Sequence, residues 1–323
     1  MINSAVFMFN RFKFIIMDAL TDILNSMRMR GGVFFRCEFS APWGMDIGQT
    51  PVAEFHVIVR GHCWLKMAGE AEPIHLQGGD LLVFPHGHAH ELLDSPSTIS
   101  STAQEIVGSK KIEHYGPVIF GKGGTPATIL CGYFQFDEDA HHPLLDALPA
   151  YIHIHGTDVT EFSWLQSTIN FIGYETRSER PGNEAVVNRL VEVLFIQIMR
   201  AYIAKSATQI GILGAIADSK VGLAMNAIHQ HSEQSWTVDK LAKVAGMSRS
   251  AFAVRFHQLA GQTPIQYLTF WRMSKAKEML FSYATNMTEI AELTGYKSEA
   301  AFSKAFKKSS GYSPGAFRRR KLL

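Results

Sequence analysis

The stretch GMSRSAFAVRFHQLAGQTP, residues 246–264, is nearly repeated as GYKSEAAFSKAFKKSSGYSP, residues 295–314. Gly246 answers to Gly295, Phe252 to Phe302, Phe256 to Phe306, Gly261 to Gly311, Thr263 to Ser313 and Pro264 to Pro314. The second copy carries one extra residue in its first turn. Upstream, LAKVAG at 241–246 pairs with IAELTG at 290–295. Such a repeat means one supersecondary unit used twice, and two copies are too few for a solenoid.

Each copy has the grammar of helix, short turn, helix. In the first, Val238, Leu241, Ala242 and Ala245 recur at helical spacing, with Thr237 placed to cap the start. Gly246 is placed to end the helix in the left-handed region. Ser248 opens a second helix carrying Phe252, Phe256 and Leu259 on one face, and Gly261 stops it. The second copy repeats this with Thr288 expected as cap, Ile290, Ala291 and Leu293 apolar, and Gly295 in the turn. Ser298 then opens a helix with Phe302 and Phe306 inward. Between the copies, residues 264–281 read as a connecting helix that fixes the two units relative to each other. Chance similarity in a plain bundle is disfavoured, because the matched positions include turn glycines and caps as well as apolar residues. Helix, glycine-containing turn, helix is the helix-turn-helix pattern.

Charge indicates the partner. Residues 218–323 hold 16 Lys and Arg against 7 Asp and Glu, so the formal net charge of +2 for the whole chain conceals a basic tail on an acidic front. That polarity suits a polyanion. Lys304, Lys307, Lys308 and the run Arg318, Arg319, Arg320, Lys321 are placed to neutralise phosphates.

The motifs A-x-x-A-G-M-S-x-x-x-F-x-x-x-F and G-Y-x-S-x-x-x-F-x-x-x-F-K-K-x-x-G-Y-S-P-x-x-F-R lie within residues 220–320. They resemble the tandem helix-turn-helix domain of the AraC/XylS family of transcriptional regulators. The resemblance implies that residues 248–260 and 298–309 are recognition helices entering successive major-groove segments of double-stranded DNA. On their outer faces it places Ser248, Arg249, Ser250, Ala253 and Val254 in the first helix. In and beside the second it places Lys297, Ser298, Glu299, Ala300, Ser303 and Lys304. Arg249 suits guanine and Glu299 cytosine, while Ala253 and Val254 offer only apolar contact to thymine methyls. His257 and Lys307 are expected at phosphates.

The front half has a different grammar. Short strand-like runs punctuated by turns, from about residue 33 to 136, suggest a small barrel or sandwich. GDLLVFPHGHAH has Gly79, Pro85, Gly87 and His90 at a spacing that resembles the second cupin motif. Glu54, with six residues between it and Gly61, resembles the tail of the first. The His-x-His pair that this resemblance would place ahead of Glu54 is missing; Gly48, Gln49 and Thr50 stand nearby. Glu54 and His56 share a strand face, since side chains alternate, and His90 is expected across the barrel. Two His and one carboxylate can hold a divalent ion, although cupin-like domains of such regulators are expected to bind no catalytic metal. An effector pocket is expected at Glu54, His56, Trp64 and His90, and His86 and His88 read as solvated loop residues.

Cys37, Cys63 and Cys131 are the only cysteines, an odd and sparse count that fits a reducing cytoplasm without a disulfide framework. Each falls in a strand-like run, where Cys is ordinarily a small buried apolar residue. Cys37 and Cys131, if neighbours, are redox candidates only as exposed thiols of low pKa.

Two helices follow the strands: residues 164–178, then a long helix from Asn183 with Val187, Leu190, Val191, Leu194, Ile198 and Tyr202 as a stripe widened by Phe195 and Met199. The stripe can pack on the barrel or pair with its twin in a homodimer. Residues 207–220 read as a partly flexible joint.

The expected architecture is a multidomain α+β chain. A disordered extension over 1–16 precedes a cupin-like β-barrel over 17–156, a helical linker and dimerisation region over 157–217, and an all-α tandem helix-turn-helix domain over 218–323. The expected function is a cytoplasmic, non-membrane transcription regulator and no enzyme. Its barrel would sense a small molecule or an oxidant and modulate promoter binding, with RNA polymerase as a further partner. The alternative is a metal-dependent cupin enzyme fused to a DNA-binding tail. No nucleophile elbow, phosphate loop or zinc-ribbon spacing supports it.

Overall fold

The computed structural model describes residues 18–108, 117–137, 142–157, 163–177, 180–205, 211–281 and 285–320, so the extension expected over 1–16 lies outside the described residues. The chain divides into two units: Met27–Gln209, and Ile210–Leu323 together with Met1–Ser26.

The unit Met27–Gln209 is rich in sheet. Its strands are β1 (Arg30–Ser40), β2 (Gly44–Ile47), β3 (Ala53–Arg60), β4 (His62–Met67), β5 (Ile74–Gln77), β6 (Leu81–Phe84), β7 (His90–Leu93), β8 (Ser101–Thr102), β9 (Val118–Gly121), β10 (Pro126–Gln135) and β11 (Ile152–Ile154). They form two sheets that do not close into one barrel. The six-stranded sheet runs β11-β6-β3-β10-β1-β9 and the five-stranded sheet β5-β4-β7-β2-β8. Both contribute to one apolar core: Cys37, Phe39, Ile58, Leu82, Phe84, Ile129 and Cys131 from the first, Met45, Cys63, Leu65 and Leu92 from the second. Gly61 at φ +83° and Gly87 at φ +60° occupy backbone conformations that side chains rarely adopt. Those two glycines of the motif spacing are therefore turn devices.

After the short helices α2 (Ala103–Val107) and α3 (Pro143–Asp146) come α4 (Ser163–Glu175) and α5 (Asn183–Lys205), which belong to this unit. The strand β3 is buried on both faces. Glu54, His56 and Ile58 look into the core between the sheets, while Phe55 lies on the other face, 4.9 Å from the Phe134 ring. Phe134 in turn meets Phe195 of α5 at 5.0 Å. Each such ring contributes on the order of 1.5–3 kcal/mol by leaving water. The apolar stripe of α5 is spent here: Val187, Val191, Leu194, Phe195, Ile198 and Met199 are all buried. Val186, Val193 and Ile196 remain exposed, as do Phe171 and Tyr174 of α4.

The second unit is helical: α1 (Ala19–Ser26), α6 (Ile212–Ala217), α7 (Val221–Gln230), α8 (Val238–Val244), α9 (Arg249–Ala260), α10 (Pro264–Leu280), α11 (Met287–Leu293), α12 (Glu299–Ser310) and α13 (Pro314–Arg320). Part of the joint read over 207–220 is therefore the folded helix α6, with Ile212, Leu213, Gly214 and Ala215 buried; residues 206–210 lie outside the described set. The short helix α1 is tied to this unit by Ala19 N donating to Asn226 Oδ1 at 2.9 Å.

The repeat is built as its caps specify. Thr237 accepts from Lys240 N, Ser248 from Ala251 N, and Ser298 from Ala301 N. The cap of α11 is Asn286, accepting from Glu289 N, and not Thr288, which lies inside the helix and donates to Glu299 at 3.3 Å. Phe252 and Phe256 are buried under α9, and Phe256 meets Tyr267 of α10 at 6.1 Å. Phe302 and Phe306 are buried under α12 in a core with Met273, Ala276 and Leu280 of α10. One continuous helix thus serves both cores and joins the two helix-turn-helix pairs within one unit.

Candidate functional site

The first site is the outer surface of α9 and α12. Burying two Phe one turn apart forces the opposite face of each helix outward. Ser248, Arg249, Ser250, Val254 and His257 are exposed on the first, and Ala253 is half-buried. On the second, Lys297, Ser298, Glu299, Ala300, Lys304 and Lys307 are exposed and Ser303 is half-buried. Ala251 and Arg255 are also exposed, but Arg255 is tied to Asp218 at 2.9 Å through Nε. Arg249 stands 3.6 Å from Asp239, and both are open to solvent.

Several cations have structural duties that charge counting missed. Arg318 donates to Leu280 O at 3.2 Å and Thr285 O at 2.8 Å, so its guanidinium is spent on these two carbonyls instead of facing outward. Arg272 donates to Ser232 O at 2.6 Å and Gln234 O at 2.8 Å. Arg319 and Arg320 are exposed, the latter lying 5.1 Å over the Tyr312 ring. Lys321 lies outside the described residues.

The second site is in the sheet unit. Glu54 and His56 on β3 and His90 on β7 are brought together from opposing sheets, and all three are buried. Each offers a ligand atom within 4.8 Å of the others. His56 Nε2 is 2.8 Å from His90 Nε2, and His56 Nδ1 is 3.1 Å from Cys131 Sγ. Burial pushes the Glu54 carboxyl up to about 7 against the lowering effect of Thr50. Burial and then the neighbouring His90 hold His56 well below the ordinary imidazole value, and burial lowers His90 to about 4. At neutral pH both rings are therefore neutral.

Trp64 does not line this interior. Its neighbours Cys63, Leu65 and Met67 take the core side of β4, so alternation turns Trp64 to the other face, where its ring lies 4.8 Å from His75. His86 is half-buried, with Nε2 3.0 Å from Leu148 O, and is not a solvated loop residue. Cys37 and Cys131 do sit on paired strands, two register steps apart. Both are buried, and the Cys37 thiol, then burial, raise the Cys131 pKa. The exposed, readily ionised thiol that oxidant sensing asks of them is not what this packing provides.

A second cluster, Asp80, His153 and His155, also lies within 4.8 Å. Asp80 is already spent: Oδ1 accepts from Gly156 N at 2.7 Å, and Oδ2 from His153 Nε2 at 3.0 Å and Gln77 N at 3.2 Å. Burial raises its carboxyl pKa, but those hydrogen bonds outweigh burial and leave it below the ordinary value. This cluster pins the strand ends.

A basic tandem helix-turn-helix body carried with a two-sheet domain defines a DNA-binding transcription regulator. The comparisons agree. Residues 18–204 match the Cupin family and residues 241–320 the Helix-turn-helix domain family. An uncharacterized HTH-type transcriptional regulator of Haemophilus influenzae is 30% identical over 94% of this chain and 99% of its own length. The HTH-type transcriptional regulator AlkR of Acinetobacter baylyi is 30% identical over 94% and 99%. The RCS-specific HTH-type transcriptional activator RclR of Escherichia coli is 28% identical over 94% and 98%. The DNA-binding domain of AdpA, solved with a target DNA, is 31% identical over 32% of this chain and 92% of its own, at a TM-score of 0.30. The chain belongs to the AraC family of transcriptional regulators, with an N-terminal cupin domain. Among the described residues no helix is long and apolar enough to cross a membrane.

Proposed function

We propose that this regulator acts in the cytoplasm, taking an effector in the interior around Glu54, His56 and His90 and altering promoter affinity in response. The DNA contacts assigned are Ser248, Arg249, Ser250, Ala253, Val254 and His257 from α9, and Lys297, Ser298, Glu299, Ala300, Ser303, Lys304 and Lys307 from α12. The observation that carries this reading is the pair of Phe-anchored, serine-capped helices hung on α10 with these side chains turned outward. Ser248 and Ser298 each spend an oxygen lone pair on a cap, which leaves the Ser298 hydroxyl proton for a phosphate, while Ser248 Oγ also lies 3.5 Å from Ser250 Oγ. Effector control requires that the effector bind one arrangement of the chain more tightly than another.

The effector is a small molecule or an oxidant. The oxidant arm is supported by the proximity of Cys37 to Cys131 and opposed by the burial of both. The reading as a regulator, not a cupin enzyme, rests on the names of full-length relatives. The active species is a homodimer through the exposed apolar residues Phe171, Tyr174, Val193 and Ile196 of α4 and α5, acting with RNA polymerase at the promoter. Selection of bound genomic fragments by the full chain tests the reading. A recurrent sequence bound well above random competitor is the expected result; binding at the level of competitor overturns it.

A further inference from the structure

We infer that Asp239 and Thr288 are positioning residues for base readout, and that they hold side chains of opposite polarity toward the DNA: a cation on α9 and a carboxylate on α12. This rests on the assignment of Arg249 and Glu299 as DNA contacts. It adds what holds each of them in place and which base edge each takes.

The two ties stand at matching positions of the repeat. Asp239 is the second residue of α8 and Thr288 the second residue of α11, and the pairing of residues 241–246 with 290–295 sets them opposite each other. Arg249 is the first residue of α9 and Glu299 the first of α12, each directly after its capping serine. In the first copy Arg249 Nη1 lies 3.6 Å from Asp239 Oδ2. In the second, Thr288 Oγ1 donates to Glu299 Oε2 at 3.3 Å. All four side chains belong to exposed residues. Exposed ties of this kind add little to folding stability. Stability therefore does not account for a tie that recurs at the same two positions with different chemistry.

The chemistry of each partner follows from the side chain it holds. The start of a helix carries a partial positive charge, which opposes a cation and favours an anion. Arg249 stands where α9 repels it, and the Asp239 carboxylate offsets that repulsion. Glu299 stands where α12 favours it and needs only a neutral donor, which Thr288 supplies. Each tie occupies one part of the side chain. The Arg249 guanidinium has five N–H donors, so an edge remains for bidentate contact with guanine N7 and O6. Glu299 keeps Oε1 to accept from cytosine N4–H. Glu299 is also the one acid in α9 and α12. A carboxylate is repelled by a phosphate backbone, so contact with a base donor is the role that suits it. The two copies thus read opposite chemistry, with guanine under α9 and cytosine under α12.

The test uses the full chain and a pool of random-sequence DNA duplexes, with the bound duplexes sequenced after repeated selection. Wild type should enrich one guanine position that is lost in Arg249→Ala and one cytosine position that is lost in Glu299→Ala. Asp239→Ala should cut the guanine preference about tenfold, within the span of about 5- to 150-fold that a bidentate base contact commands. Its affinity for random duplex should stay equal or rise, because an acid has left the face. In an Arg249→Ala background, Asp239→Ala should change no base preference. Thr288→Val should weaken the cytosine preference and Thr288→Ser should retain it. Asp239→Thr combined with Arg249→Glu gives the first copy the pair of the second and should turn its guanine into cytosine. Unchanged preferences in Asp239→Ala or Thr288→Val overturn the inference. So does an equal loss on selected and random duplexes, or an effect of Asp239→Ala that persists in the Arg249→Ala background. If Asp239→Ala is less helical by circular dichroism, Asp239→Asn is read in its place. A wild-type chain that selects no sequence overturns the DNA-contact reading itself, whereas a selected sequence whose preferences ignore Asp239 and Thr288 sinks only the positioning.

Discussion

His229 Nε2 lies 2.7 Å from the Tyr267 hydroxyl, buried in the body that carries α9 and α12. The bond joins α7 to α10. On the other side of the ring, the Asp22 carboxylate of α1 stands 3.3 Å from His229 Nδ1, at ion-pair distance without hydrogen-bond geometry. Trp271 covers the ring face at 4.0 Å. Three helices far apart in sequence are thus tied at one imidazole.

Stability of this body should fall on acidification. Burial lowers the His229 pKa, as does Lys275, while Asp22 and Asp18 raise it, and the net shift is downward. A folded pKa below the unfolded value of about 6.5 means the unfolded chain binds the extra proton. The associated stability is present above about 6.5 and lost as pH falls through the folded value. His56 and His90 act in the same direction in the other unit. Denaturant midpoints measured between neutral and mildly acidic pH should therefore drop less in His229→Gln than in wild type; an identical pH slope in both would refute the assignment.

Removing the tyrosine hydroxyl should be felt without any change in shape. Tyr267→Phe leaves His229 Nε2 without its partner and should cost about 1–3 kcal/mol. Thermal denaturation followed by helical circular dichroism reads this directly. No loss of stability would mean that the bond contributes nothing.

Phe306 packs against Phe302 at 5.7 Å and Phe317 at 5.4 Å in the second helix-turn-helix core. Phe306→Ala should destabilise that core by about 3–5 kcal/mol, and Phe306→Leu by clearly less. Specific DNA binding should fail in the first and persist in the second. Retention of full operator affinity in Phe306→Ala would show that α12 is not a reading helix.

Charge and readout should separate by substitution. Lys307→Ala should weaken binding to all sequences alike and reduce the salt slope by about one phosphate's worth. Arg249→Ala should cost about 1–3 kcal/mol against one base pair only and relax preference there. Competition binding at several salt concentrations distinguishes the two patterns, and a shared pattern for both residues would contradict the assignment.

The three thiols should be slow to react. Cys37, Cys63 and Cys131 are each no more than 1% exposed, and burial, then the charge of Asp80, raises the Cys63 pKa. Labelling by a thiol reagent should track unfolding in the native chain and become fast in denaturant. Native labelling at the rate of a free thiol would restore the oxidant arm of the proposal.

The helix-turn-helix repeat was legible because its signals are local. Thr237, Ser248, Gly246 and Gly261 act within one turn of their own helix, and the spacing of Phe252 and Phe256 states which face is inward. The miss at Thr288 has the same origin: Asn286, two residues earlier, offers a better capping oxygen to Glu289 N. The tie of Arg318 to Leu280 O could not be read, because it spans 38 residues and competes with a plausible solvated face.

By itself the sequence determined the two kinds of unit, the paired helix-turn-helix repeat, and the shared strand face of Glu54 and His56. These follow from periodicity and caps, which act over a few residues. Only the tertiary structure decided that His90 meets them, that Trp64 turns away, that two sheets stay open, and that the stripe of α5 is spent on a sheet. Each depends on strand register or on docking between distant segments. A shift of one residue there sends every side chain to the other face, so no local pattern can state it.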